Sequence, residues 1–409
     1  MSELFLHLVN RGLAAGWLVL AILVLRPLLA RAPGWVRPAM WGLVGLRLVL
    51  PVTVESALSL LPSAETVSPA VMADPSPAIH TGIAAVNSAV NPLLDRFFAP
   101  QTGDSANPLQ IWVPVLAAVW LAGVCLLLLY AVLSAWRLRR RVASAVCLRD
   151  NIYQSEAVPA PFVLGLVRPR IYLPFRMPEG SMDQVLAHER AHVRRRDHWW
   201  KPLGFLLLAV YWFHPLLWLG YALFCRDVET ACDEAVIRDL DRAGRGDYAQ
   251  ALADWSAPER RVSPCPLAFG ETGVKGRVRR VLRYRRPGAW TALAGAALCL
   301  LLAGCFLTDP VEPGKMTLAD VLALSEKGTD LTWGDLEEFT DYTETGSGLY
   351  IRLYAVDDSA GSFVLAVGGG MPRAEDPVMY AHLSEAEGEA GDWVDIREGD
   401  VAAFLRDRR

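Results

Sequence analysis

Leu116-Ala117-Ala118-Val119-Trp120-Leu121-Ala122-Gly123-Val124-Cys125-Leu126-Leu127-Leu128-Leu129-Tyr130 is the middle of a run from residue 111 to 133 that carries no charged side chain. Arg137, Arg139, Arg140 and Arg141 follow it at once. A helix needs roughly 20 mostly apolar residues to cross a bilayer, and Lys and Arg gather in cytoplasmic loops. This stretch therefore predicts a spanning helix whose C-terminal end is inside. Three other runs read the same way, at about residues 5–29, 39–61 and 288–307. Arg26, Arg31 and Arg37 follow the first, and Lys275, Arg277, Arg279, Arg280, Arg283, Arg285 and Arg286 precede the last. The loop 62–110 holds Arg96 as its single basic residue. One topology satisfies every flank: the N-terminus and 62–110 outside, 134–287 cytoplasmic, and 308–409 outside.

The whole-chain averages agree. Of 409 residues, 53% are apolar and 21% charged, with a mean hydropathy of +0.26. Soluble domains run at about 45–50% apolar and about 25% charged, so a large disordered chain and an ordinary cytosolic enzyme are both disfavoured. A net charge of −4 gives no general case for nucleic-acid binding. Met1-Ser2-Glu3 lacks the basic start of a signal peptide, so the first span is expected to stay as an anchor. Leu302-Ala303-Gly304-Cys305 has the form of a lipoprotein box, but so deep in the chain it reads as a helix end. None of the seven cysteines follows the last span and no Cys-x-x-Cys pair occurs, which argues against a disulfide framework. Arg47 lies inside the second span, where an ionised group is costly; pairing with a neighbouring helix or snorkelling outweighs a functional role. A fifth apolar run, Pro202 to Phe224, is interrupted at Phe213-His214-Pro215. Proline breaks an intrahelical hydrogen bond, so this run is expected to form a helical hairpin on or partly in the membrane, not a crossing.

The cytoplasmic segment contains Leu186-Ala187-His188-Glu189-Arg190-Ala191-His192-Val193. Histidines at i and i+4 share one helical face and can reach a single ion, with Glu189 beside them. Metal-assisted hydrolysis needs this pattern: the ion activates water and polarises the scissile carbonyl, and the carboxylate moves the proton. A catalytic zinc also needs a third protein ligand. Downstream, in Arg226-Asp227-Val228-Glu229-Thr230-Ala231-Cys232-Asp233-Glu234, Glu229 and Asp233 are four apart on one helical face. A solvated acidic face is the competing explanation, and His198, His214 and Cys232 are the competing ligands.

His188 through Asp197, then His214-Pro215-Leu216-Leu217-Trp218, then Glu229-Thr230-Ala231-Cys232-Asp233-Glu234-Ala235, together resemble the membrane zinc metallopeptidases of the BlaR/MecR antirepressor type. Pro161-Phe162-Val163-Leu164-Gly165 and Arg168-Pro169-Arg170-Ile171-Tyr172-Leu173-Pro174 resemble the same family. The likeness spans about residues 1–307. It implies a mainly α, polytopic fold with four spans, a gluzincin-like cytoplasmic peptidase domain and a bacterial cell-membrane location. It also implies Zn2+ held by His188, His192 and Glu229, with Glu189 as general base. Asp233 would either support a ligating histidine from behind or add a further ligand. Phe162, Val163, Leu164 and Gly165 would form an edge strand that holds an extended peptide by main-chain hydrogen bonds. Family members act as signal transducers that lead to removal of a cytosolic winged-helix repressor. Self-cleavage before the last span is another family trait, and the matching stretch is about 263–280, containing Phe269-Gly270-Glu271-Thr272-Gly273.

Residues 308–409 depart from the antibiotic-sensing members, having neither a Ser-x-x-Lys nor a Lys-Thr-Gly motif. They are too few for a penicillin-binding fold. Gly348–Val356 and Ser362–Val367 alternate around Asp357-Asp358-Ser359-Ala360-Gly361, which reads as a hairpin. Thr317–Leu324 and Leu336–Phe339 read as short helices, and Trp393–Ile396 as a strand. Asp335-Glu337-Glu338 and Glu385-Glu387-Glu389 make it acidic, so the expectation is a small α+β sensor-like domain that does not react with β-lactams. The expected partners are membrane lipid at the basic margin 275–286, a polypeptide substrate, a cytosolic winged-helix repressor and a second copy of the chain in a homodimer, with no direct nucleic-acid contact. A membrane quality-control metalloprotease and a non-catalytic receptor with structural zinc are the rival functions; the intact Glu189 speaks against the second.

Overall fold

The structure, a computed structural model, describes all residues except 51–53, 55, 64, 73–76, 99–107, 176, 178, 256–273, 311–313, 315, 340–341, 346–349, 359–360, 371, 387–391 and 407–409. The chain divides into two units, 1–310 and 311–409.

In the first unit, α1 (Ser2–Leu25) is an uninterrupted apolar helix that stops just before Pro27. The expected second span is shorter than its apolar run suggests. Helix α2 covers Val36–Val49 where 39–61 was anticipated, because Pro51 has no N–H to continue the ladder and excludes helical geometry just before it. Fourteen residues rise about 21 Å, less than the roughly 30 Å hydrocarbon core. α2 nevertheless sits in the main apolar cluster: Met40, Trp41, Val44 and Leu48 pack with Leu18, Val19 and Ile22 of α1. α3 (Ala84–Phe98) falls within the anticipated outer loop. α4 (Pro108–Arg141) extends the expected 111–133 run at both ends. Among the described residues, three helices are long and apolar enough to cross a membrane: α1, α4 and the later α10.

A four-stranded sheet follows, formed by β1 (Val146–Arg149), β2 (Ile152–Ser155), β3 (Phe162–Leu164) and β4 (Arg170–Pro174) in the order β1-β2-β4-β3. β2 and β4 run parallel, and β3 pairs antiparallel with β4 at the sheet's end. Gly165 leaves β3 at φ +112, and a Cβ there would overlap the Arg168 carbonyl. Ile171 and Leu173 bury one sheet face against Met182, Val185 and Leu186 of α5 (Met182–Arg194), the helix that carries the HExxH pattern.

Arg196, in the left-handed region at φ 58, turns the chain from α5 into α6 (Asp197–Val210). The long apolar run breaks where anticipated: α6 ends at Val210, residues 211–214 turn, and Pro215 is the first residue of α7 (Pro215–Ile237). Proline is tolerated there because the first helical N–H has no intrahelical acceptor. His214 packs its ring on Gly16 of α1, where a larger residue would collide with it. The Trp120 indole of α4 donates to the Val210 carbonyl (2.7 Å), and that of Trp212 donates to the Trp120 carbonyl (3.1 Å). α8 (Arg242–Trp255) and α9 (Val274–Leu282) close over the end of α7 through Ile237, Tyr248, Ala249 and Val281. α10 (Ala289–Phe306) matches the expected 288–307 span, with Cys305 buried in its last turn.

Arg47 and Asp227, two charges buried in this bundle, are paired. Arg47 reaches Asp309 at 2.5 Å and the Leu307 carbonyl at 3.2 Å, so its position in an apolar run is explained by pairing with the segment that follows α10. Asp227 of α7 accepts from Arg26 Nε (3.0 Å) and a second guanidinium nitrogen (2.8 Å), and from the Trp41 indole (2.9 Å).

The second unit is an α+β domain. α11 (Leu318–Ser325) begins with a capping box between Thr317 and Asp320. β5 (Tyr342–Thr345), β6 (Tyr350–Asp358), β7 (Gly361–Gly369), β8 (Tyr380–Glu385) and β9 (Trp393–Asp395) form an antiparallel meander in sequence order, and α12 (Val401–Arg406) follows. Val321, Leu331, Trp333, Leu336, Tyr354, Leu365, Leu383 and Ile396 form its core. The anticipated hairpin is β6–β7, with residues 359–360 of its turn outside the described residues. The helix expected at Leu336–Phe339 is a 3-10 turn displaced to Trp333–Leu336. β8 was not anticipated, and Glu387 and Glu389 of the acidic cluster lie outside the described residues.

Asp227→Ala should cost about 3–5 kcal/mol, the usual penalty for removing one partner of a buried ion pair. It should lower the melting temperature of the detergent-purified protein. Arg26→Ala should lower it less, because the Arg26 side chain is 27% exposed.

Candidate metal centre

His188 and His192 stand one turn apart on α5, both buried, their rings edge to face at 4.8 Å. Each turns Nε2 toward the same carboxylate. His188 Nε2 lies 3.3 Å from Glu229 Oε2, and His192 Nε2 lies 3.5 Å from Glu229 Oε1. One donor atom from each of these residues falls within 4.8 Å of the others. Two imidazole nitrogens and a carboxylate converging in this way fit a zinc ion, whose catalytic sites use three such protein ligands and leave one position open. Glu189 is buried in the same helical turn.

The outward-facing ring nitrogens are also engaged. His192 Nδ1 meets Asp197 Oδ2 at 2.9 Å, and His188 Nδ1 meets the Tyr248 hydroxyl at 2.9 Å. Such contacts fix which nitrogen carries the proton and so which is free to ligate. Asp233, one turn beyond Glu229, does not face the convergence point. Its carboxylate accepts from Tyr248 (2.8 Å) and from two nitrogens of Arg277 (2.7 and 2.8 Å). Arg277 also lies 3.4 Å from His188 Nε2 and 3.5 Å from Glu229 Oε2.

Lys201 of α6 donates to Glu229 Oε1 at 2.8 Å. Burial by itself would raise the Glu229 pKa, but the adjacent Lys201 ammonium, the largest opposing influence, helps to override it and hold the carboxyl well below its usual range. Burial likewise disfavours the Lys201 ammonium, and Glu229 more than compensates, so Lys201 stays protonated. Burial and then the nearby Asp233 charge push the Tyr248 phenol well up, so it remains a neutral donor.

The competing ligands do not join this set. His198 faces away on α6, its Nδ1 without a partner among the described residues, and His214 packs against α1. Cys232 is close, donating to Asp197 (3.1 Å) behind His192. Burial pushes its thiol up to about 11, so it is protonated at neutral pH. Phe162, Val163 and Leu164 lie on edge strand β3, and Gly165 immediately follows it. Phe269 to Gly273, in the stretch expected to be cleaved, lie outside the described residues.

Lys201, Asp197, Tyr248 and Arg277 were not anticipated as parts of the site. Lys201 gave a faint signal, a lone cation entering the apolar run Pro202–Phe224, and Asp197 closes the motif begun at His188. Nothing in the local pattern marks Tyr248 or singles out Arg277 among its basic neighbours.

The family model described as BlaR1 peptidase M56 matches residues 6–281. The chain is 24% identical over 267 residues to the regulatory protein BlaR1 of Bacillus licheniformis, an alignment covering 57% of this chain and 43% of that protein. It is 28% identical over 142 residues to the methicillin resistance mecR1 proteins of Staphylococcus aureus and Staphylococcus epidermidis, covering 33% of this chain and 24% of each relative. The matches thus span less than half the length of these relatives.

Glu229→Ala should lower the metal content of the purified protein, while Cys232→Ala should leave it unchanged. Elemental analysis after desalting compares the two, and equal loss in both would move Cys232 into the ligand set.

Proposed function

This chain belongs to the BlaR1 peptidase M56 family and is a membrane protein, and on that premise we propose that it is a zinc endopeptidase acting as a transmembrane signal transducer. His188, His192 and Glu229 would hold the zinc. The observation that carries the reading is the convergence of two Nε2 atoms and the Glu229 carboxylate, with both Nδ1 atoms engaged by hydrogen-bond partners. A structural zinc site would have no use for a base, yet Glu189 is buried in the same turn.

Zinc bound in this pocket would supply Lewis acidity toward a scissile carbonyl and toward water. Glu189 takes the proton from the attacking water and later delivers it to the leaving amine. Lys201 keeps Glu229 anionic. The free edge of β3 would align an extended peptide by main-chain hydrogen bonds, with Phe162, Val163, Leu164 and Gly165 beside it. The substrate class is polypeptide: a cytosolic winged-helix repressor, the chain's own segment near 263–280, or both.

The basic flanks support a topology with residues 134–287 in the cytoplasm and 308–409 outside, in which α1, α2, α4 and α10 would be the membrane helices. The outer unit is then the sensor. Lacking Ser-x-x-Lys and Lys-Thr-Gly motifs, it would sense a ligand without β-lactam acylation.

Glu189→Gln should retain zinc and lose cleavage of a co-expressed repressor and of the chain's own cytoplasmic segment, read on immunoblots. Processing equal to the unmodified protein would sink the peptidase reading. Protease added to intact cells should shave residues 311–409 and spare 134–287; the opposite pattern would invert the topology.

A further inference from the structure

His188 and His192 are oriented by different devices. His192 Nδ1 meets a carboxylate directly, at 2.9 Å from Asp197. His188 Nδ1 instead meets a phenol at 2.9 Å, with the nearest carboxylate oxygen, Asp233 Oδ1, further off at 3.5 Å; Tyr248 donates to that oxygen at 2.8 Å. A phenol has one proton to give. With that proton committed to Asp233, the Tyr248 oxygen must act as acceptor toward His188, which places the imidazole proton on Nδ1. The lone pair is then on Nε2, the nitrogen that faces Glu229.

Asp233 is itself pinned. The Arg277 guanidinium contacts it through two nitrogens, one to each carboxylate oxygen, the planar fork that suits arginine and a carboxylate. The carboxylate oxygens are thereby taken by Tyr248 and Arg277. We infer that Tyr248 is a positioning residue of the metal centre, fixing the tautomer and ring direction of His188 through Asp233, which Arg277 holds in place.

Asp233 accordingly acts from behind the histidine and is not a metal ligand. The relay crosses three helices, with Asp233 on α7, Tyr248 on α8 and Arg277 on α9, so the readiness of His188 depends on α8 and α9 being docked. The inference rests on the zinc-site reading above and deepens it.

The test uses the full chain in detergent, titrated with Zn2+ against a chromophoric chelator. Tyr248→Phe keeps the ring and removes the hydroxyl. It should weaken zinc binding by about tenfold to a hundredfold, the usual effect of losing such a support, and should alter the visible absorption of the Co2+-substituted protein. Asp233→Asn should weaken binding similarly alone, but add little in a chain already carrying Tyr248→Phe, since the two act in series. Additive losses, or a Tyr248→Phe protein with unchanged affinity and Co2+ spectrum, would overturn the relay while leaving the zinc site standing. If Tyr248→Phe does not fold, Asp233→Asn alone decides through the Co2+ spectrum: loss of a direct ligand oxygen would change coordination number and overturn the inference, whereas a spectrum of unchanged coordination with weaker affinity supports it. A wild-type chain that binds no zinc would remove the parent reading and this inference together.

Discussion

Helix α7 carries three buried carboxylates, and each is neutralised by a different part of the fold. Asp227 is held by Arg26 and Trp41, Glu229 by Lys201, and Asp233 by Arg277 and Tyr248. A buried charge without a partner costs several kcal/mol or more, so α7 can stay buried only when α1, α2, α6, α8 and α9 are all in place around it. The same requirement positions Glu229 to within hydrogen-bond tolerance of both histidines. The contacts that keep α7 buried therefore also hold Glu229, the proposed third ligand, in place.

This explains why the site stands on helices and not on loops. His188 and His192 come from one turn of α5, and α5 is seated against the sheet by Met182, Val185 and Leu186. Glu229 comes from α7, whose preceding half lies in the main apolar cluster through Leu217, Tyr221, Leu223 and Cys225. Donors on packed helices lose little freedom when they converge, so the pocket is preorganised by the fold. Strand β3 pairs only with β4 among the described strands, and its other edge is where the proposed peptide substrate would lie.

The two units show different relations between pattern and structure. The second unit is a sequential meander with α11 and α12, in which neighbours in sequence are neighbours in the sheet. Its β6–β7 hairpin was therefore legible from alternation alone. In the first unit the decisive contacts are remote. Arg26 and Asp227 are 201 residues apart, Arg47 and Asp309 are 262 apart, and Tyr248 is 60 residues from His188.

Local periodicity determined the apolar helices, the break at Phe213-His214-Pro215, the pairing of His188 with His192 on one face and the reach of Glu229 and Asp233 from another. Each of these depends on residues within a turn or two, where helical geometry fixes who faces whom. Hydropathy also over-extended α2, because an apolar count does not register that Pro51 must end the ladder. Tertiary structure alone decided which carboxylate meets both imidazoles, that Asp233 turns to Arg277 and Tyr248, that Lys201 faces Glu229, and that Arg47 finds Asp309. Those outcomes depend on the cost of leaving a buried charge unpaired, and the partner that offsets it can lie anywhere in the chain.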